Sequence, residues 1–70
     1  MIGRVKWFDN NKGYGFINSD EKEIYVHFKA IKMHGYRTLH NNQLVEFNLI
    51  SNSKGYHANN VSIIKDEIDD

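Results

Sequence analysis

Cysteine and proline are both missing from this 70-residue chain. Without cysteine there is no disulfide framework and no thiolate metal site, the usual supports of very small domains. Long apolar runs are missing as well: nothing approaches the roughly 20 residues that cross a bilayer as a helix, so no membrane partner is expected. The first residues carry no signal-peptide pattern, because Arg4, Lys6 and Asp9 interrupt the stretch that would have to be apolar. Together these absences point to the cytoplasm. Net charge is missing too, with nine Lys and Arg against nine Asp and Glu.

What is present is enough for one small core. The chain is 40% hydrophobic and 13% aromatic, too apolar to stay disordered, and at 8.2 kDa it has room for one domain, expected over residues 1–65. Its charge is unevenly placed. Four of the nine acids, Asp66, Glu67, Asp69 and Asp70, fall in the last five residues. Without residues 66–70, nine basic residues face five acidic ones, a net charge of +4. Residues 66–70 read as a short acidic tail on a basic body, a charge arrangement that suits an anionic partner.

Helical periodicity is poor, whereas short runs of β-formers recur between Gly, Asn and Ser clusters. The spacing predicts strands over 3–9, 14–19, 23–28, 44–50 and 57–64, with a single helical turn within Lys29–Met33. Five short antiparallel strands in so few residues predict an all-β chain closed into a small barrel, because closure removes exposed edges.

Alternation in the second and third strands carries the most information. Tyr14 and Phe16 share one face against Gly15 and Ile17; Tyr25 and His27 share one face against Ile24, Val26 and Phe28. Both strands are therefore apolar on both faces, yet a domain this small has one core. The compact Ile17, Ile24 and Val26 suit the interior, which leaves Tyr14, Phe16, Tyr25 and His27 as an exposed aromatic patch. Val45, Phe47, Leu49, Val61 and Ile63 are expected to complete the core, with Phe8 beside them. Trp7 is undecided by periodicity: strict alternation puts it on the face of Val5, and only a bulge turns it outward.

Exposed rings next to cations suit single-stranded nucleic acid, whose bases stack on aromatic faces while Lys and Arg neutralise phosphates. Arg4, Lys6 and Lys12 lead into Tyr14 and Phe16, and Gly13 and Gly15 flank Tyr14, fitting a tight turn and close approach by a ligand backbone. Lys12-Gly13-Tyr14-Gly15-Phe16-Ile17 also follows the first six positions of the ribonucleoprotein motif, with Ile for Val; Ser19 stands where that motif ends in an aromatic.

Joined to Val5-Lys6-Trp7-Phe8 before it and Tyr25-Val26-His27-Phe28 after it, this segment resembles the cold-shock domain family. The likeness runs from Gly3 to Ile63 and includes Ala30-Ile31, Gly35-Tyr36, Val45-Glu46-Phe47, Lys54-Gly55 and Asn60-Val61. The resemblance implies a five-stranded antiparallel OB-type barrel that binds single-stranded RNA and DNA as an RNA chaperone, with effects on transcription or translation. It implies binding roles for Lys6, Trp7, Lys12, Tyr14, Phe16, Tyr25, His27, Phe28, Tyr36 and Lys54. For Phe28 it overrides the alternation, so the end of the strand must turn that ring outward. The chain departs from the family pattern with Tyr for Phe at 14, 25 and 36, and with Lys29 for Ser. Tyr56 takes the place of a Pro, and Asn42 that of a Gly at a turn where Asn tolerates positive φ.

Other chemistries lack their residues. His34, His40 and His57 do not show zinc-ligand spacing, and no phosphate loop, nucleophile elbow or carboxylate pair is present, so no metal, cofactor, small-molecule substrate or enzymatic turnover is expected. Lys54-Gly55 reads either as a plain hairpin turn or as a phosphate contact. The chain is expected to act as a monomer. A protein-interaction OB module, using the same aromatic face to dock a partner chain, is the alternative.

Overall fold

Runs rich in Val, Ile, Tyr and Phe, punctuated by Gly and Asn, form the strands of the computed structural model, which describes residues 1–33 and 38–64. They are β1 (Ile2–Asp9), β2 (Tyr14–Ser19), β3 (Lys22–His27), β4 (Leu44–Asn52) and β5 (Gly55–Ile63), with a 3-10 turn at Phe28–Ala30 after β3. The strands close a barrel in the order β1-β2-β3-β5-β4. β1–β2, β2–β3, β1–β4 and β4–β5 pair antiparallel. β3 and β5 close the barrel in parallel, with Tyr25 opposite His57. The all-β, five-stranded OB-type barrel expected from the sequence is thus the architecture found. The helical turn expected within Lys29–Met33 is the shorter turn that starts at Phe28. Among the described residues, no helix is long and apolar enough to cross a membrane.

Inside the barrel lie Val5, Ile17, Ile24, Val26, Val45, Phe47 and Val61, all at 2% exposure or less. Leu49, Ile63 and Phe8 are half-buried and pack against this cluster rather than within it. Ile31, Leu39 and Ala58 complete the core, positions that strand alternation does not predict. Ser19, the buried polar residue among those described, is satisfied by donating from Oγ to the Ile2 carbonyl at 2.6 Å.

Two bulges break strict alternation. Val5 opposes Ile17 while Trp7 opposes Phe16, so Lys6 is an extra residue in β1. In β5 the register with β4 shifts between Glu46 and Asn48, and Asn60 takes φ 51°. That shift puts both Ala58 and Val61 inside, three residues apart instead of two.

The β2–β3 hairpin turns on Asp20 (φ 53°) and Glu21 (φ 62°), a two-residue connection with both central residues left-handed. Asn42 takes φ 70°, as its short polar side chain permits. Its carbonyl accepts from Arg4 Nη1 at 3.0 Å, and its N–H donates to the Val5 carbonyl at 2.6 Å.

Candidate nucleic-acid interface

The bulge at Lys6 builds the site. Before it, β1 sends Val5 inward; after it, the sense reverses, and Trp7 stands on the outside opposite Phe16. The register then continues across the barrel: Phe16 faces Tyr25, Tyr25 faces His57, and His57 faces Ile50. A second row runs beside it, with Asp9 opposite Tyr14 and Tyr14 opposite His27. Residues in register on adjacent strands are close enough for their side chains to touch.

The rings form one continuous surface. Trp7 lies 5.5 Å from Phe16 and 5.7 Å from Tyr14 between ring centroids, and Tyr25 lies 5.8 Å from Tyr14 and 5.9 Å from Phe16. All four contacts fall within the range of favourable edge-to-face and tilted ring pairs. Trp7, Tyr14, Phe16 and His27 are half-buried and Tyr25 is exposed, while none of them belongs to the core cluster. Packing the rings edge to edge holds them in place, so little side-chain entropy remains to be lost when a flat ligand settles on them.

Phe28 is turned outward, against the alternation of β3. The strand ends at His27 and the chain enters the 3-10 turn, leaving the Phe28 ring 36% exposed and 4.7 Å from the His27 imidazole. His27 Nδ1 accepts from the Lys29 N–H at 3.2 Å, which caps this turn and fixes the imidazole orientation. Tyr36 lies outside the described residues, as does the acidic tail at 66–70.

Gly13 and Gly15 serve the chain itself rather than the close approach of a ligand backbone. A Cβ on Gly15 would overlap the Trp7 carbonyl oxygen and come 2.7 Å from Phe8 Cα, so β1 and β2 can meet here only without a side chain. Gly13, at φ +79°, would place a Cβ 2.8 Å from the Phe28 ring, and its carbonyl accepts from the Phe28 N–H at 2.9 Å. These glycines let Trp7 and Phe28 reach their positions beside Phe16 and His27.

Three of the sequence-selected cations lie on β1 and on the β1–β2 and β4–β5 turns. Lys12 is exposed in the β1–β2 turn, whose shape is set by Asp9: its Oδ1 accepts from the N–H groups of Asn11 (2.9 Å) and Lys12 (3.0 Å). Lys54 lies in the two-residue β4–β5 turn, where its N–H donates to Asn52 Oδ1 at 2.9 Å. Lys6, the bulge residue, forms a solvent-exposed ion pair with Glu23. Sequence reasoning missed Glu23, and also His57, whose place in the ring row comes from the parallel β3–β5 closure.

Beyond Tyr25 the surface dips into an open groove of about 800 Å³ between β3 and the β4–β5 hairpin. Phe16, Glu23, Tyr25, His27 and Lys29 line one side, and Ile50, Lys54, Tyr56 and His57 the other. Among the described residues, no three His, Cys, Asp or Glu side chains converge as metal ligands would.

A closed barrel of this strand order is the fold of a known class of protein, as three comparisons show. The sequence profile of the family described as "'Cold-shock' DNA-binding domain" matches residues 1–64. The chain is 47% identical to a cold shock-like protein of Thermotoga maritima over 66 residues, 93% of this chain and all of that protein. It is 48% identical to the cold shock-like protein CspG of Escherichia coli K12 over 63 residues, 87% of this chain and 90% of that protein. Its fold matches that of the solved structure "drosophila Unr CSD456" with a TM-score of 0.76, covering 99% of this chain at 20% identity and 28% of that chain's length. The chain belongs to the cold-shock domain family, a family of nucleic-acid-binding proteins.

Proposed function

We propose that this protein binds single-stranded RNA and DNA by stacking unpaired bases on the Trp7, Tyr14, Phe16, Tyr25, His27 and Phe28 surface, with Tyr36 as a further stacking residue. Lys6, Lys12 and Lys54 draw the phosphate backbone along it. One observation carries the proposal. Four large rings from three adjacent strands lie within 5.5–5.9 Å of their neighbours on the outer face of a barrel whose core is already complete without them. Each stacked base contributes about 1–3 kcal/mol and requires no particular sequence, because every base has a π-face.

The chaperone effect is mass action. Binding the open strand and not the duplex shifts an RNA hairpin toward its open form by the amount that linkage dictates. The protein acts as a cytoplasmic monomer, with residues 1–65 as the binding unit and 66–70 as an acidic tail, and its influence on transcription or translation follows from keeping strands unpaired. No bond is made or broken and no cofactor takes part.

Trp7 is the sole tryptophan and stands in the ring row, so it reports binding directly. Titration with an oligo-pyrimidine strand is expected to quench its fluorescence. Affinity is expected to fall with salt at a log-log slope of about −0.7 per phosphate neutralised. Unchanged fluorescence at low salt would instead favour a protein-docking surface.

A further inference from the structure

We propose that Tyr56 is an additional stacking site for a nucleobase, extending the path of a bound single strand from Tyr25 across His57 to the β4–β5 hairpin. The inference rests on the binding function proposed above and gives that site a longer reach.

The first observation is continuity. The groove beside Tyr25 is lined by residues of the aromatic surface, Phe16 and Tyr25, and equally by Tyr56 and His57 on the hairpin. Cross-strand register carries the row as far as His57, with Phe16, Tyr25 and His57 aligned across β2, β3 and β5. Tyr56, the adjacent residue on β5, alternates to the other side of the strand and joins the rings as part of the groove lining. The groove thus has the rings of β2 and β3 and the β4–β5 hairpin in one lining.

The second observation concerns the ring itself. Tyr56 is 39% exposed and lies outside the core cluster, so its bulk is not explained by packing inside the barrel. It follows Gly55, at φ +126°, directly after the turn that carries Lys54. Lys22 Nζ sits over the ring, 5.7 Å from its centroid. The hairpin thus offers an aromatic face with a cation on either side in sequence or space. This is the pairing of stacking surface and phosphate neutraliser that single-strand binding requires. Asp20, 3.6 Å from Lys22, and Glu23 are the acids nearby, and both are exposed to competing ions.

The test uses the full chain and a ladder of oligothymidylates from about 4 to about 16 nucleotides, the span of site sizes known for single OB barrels. Trp7 quenching reads affinity, and saturation of poly(dT) reads the nucleotides covered per protein. Tyr56→Ser is expected to lose roughly 5- to 150-fold in affinity for the longest strands and nothing for the shortest, and to cover fewer nucleotides. Tyr56→Phe is expected to behave as wild type. Tyr56→Leu, which keeps bulk and removes the π-face, is expected to follow Tyr56→Ser, so the outcome does not depend on the folding of one variant. The proposal is overturned if Tyr56→Ser and Tyr56→Leu bind every length as wild type does. It is equally overturned if their losses are the same at all lengths, which would mean the hairpin's shape and not its reach is affected. Absence of Trp7 quenching by any strand with the wild-type chain would defeat the underlying binding function, and this extension with it.

Discussion

Trp7 and Phe16 face each other across β1 and β2 with ring centroids 5.5 Å apart, and they do so because Lys6 is an extra residue in the ladder. With even alternation, Trp7 would share the face of Val5, inside a barrel already filled by Ile17, Ile24 and Val26. One residue of register therefore assigns the largest side chain of the chain to the surface instead of the core. The same residue carries a cation, which the free protein pairs with Glu23.

Surface rings and core rings are expected to separate cleanly on substitution. Phe47 is 2% exposed, and Phe47→Ala should cost about 3–5 kcal/mol of stability, enough to unfold a domain of this size. Phe16→Ala should leave a folded protein, with a stability loss nearer 1 kcal/mol and a binding loss of about 1–3 kcal/mol. Thermal melts and strand titrations of the two variants check the contrast; an unfolded Phe16→Ala would place that ring in the core.

Gly15→Ala tests whether the glycine serves the ladder or a ligand. Its Cβ would overlap the Trp7 carbonyl oxygen and crowd Phe8 Cα at 2.7 Å, and backbone atoms cannot swing aside as side chains do. The substitution is expected to destabilise the fold by about 2–3 kcal/mol or more, seen as a lowered melting midpoint without any nucleic acid present. A variant with wild-type stability and impaired binding would show instead that the space belongs to the ligand.

Glu23→Gln probes the ion pair on the edge of the site. Lys6 spends its charge on Glu23 in the free protein, and both side chains are largely exposed, at 45% and 56%. Stability should change by no more than about 0.5 kcal/mol, because exposed pairs contribute little. Strand affinity should rise several-fold at low salt, where a freed Lys6 and one fewer negative charge both favour phosphate, and the gain should shrink as salt screens it. Weaker binding by Glu23→Gln would give the carboxylate a direct role in holding bases.

Much of this was legible in the residue pattern, and the rest failed for identifiable reasons. Period-two alternation separates Tyr14, Phe16, Tyr25 and His27 from Ile17, Ile24 and Val26 because β2 and β3 are regular strands joined by a two-residue turn. It cannot locate a bulge, since a bulge is a property of two strands in register and not of one strand's composition. Periodicity leaves Trp7 undecided for that reason, and it misses Ala58 because the shift at Asn60 puts that residue on the same side as Val61. Leu39 and Ile31 are core residues supplied from outside the named strands, where no period exists to reveal them. His57 joins the ring row only through a parallel closure between strands distant in sequence. Phe28 shows the reverse: alternation sent it inward, and the end of β3 at His27 turned it out.

The central claim is that bases settle on the outer rings of β1, β2 and β3 while the barrel's interior stays untouched. Chemical-shift mapping of the full chain with a saturating oligo-pyrimidine strand tests it most directly. Ring protons of Trp7, Tyr14, Phe16, Tyr25 and His27 should all move under the ring currents of stacked bases, while the methyl groups of Val45 and Val61 stay in place. Binding that leaves those ring protons unshifted, or perturbs the interior methyl groups more strongly than the rings, would contradict the account.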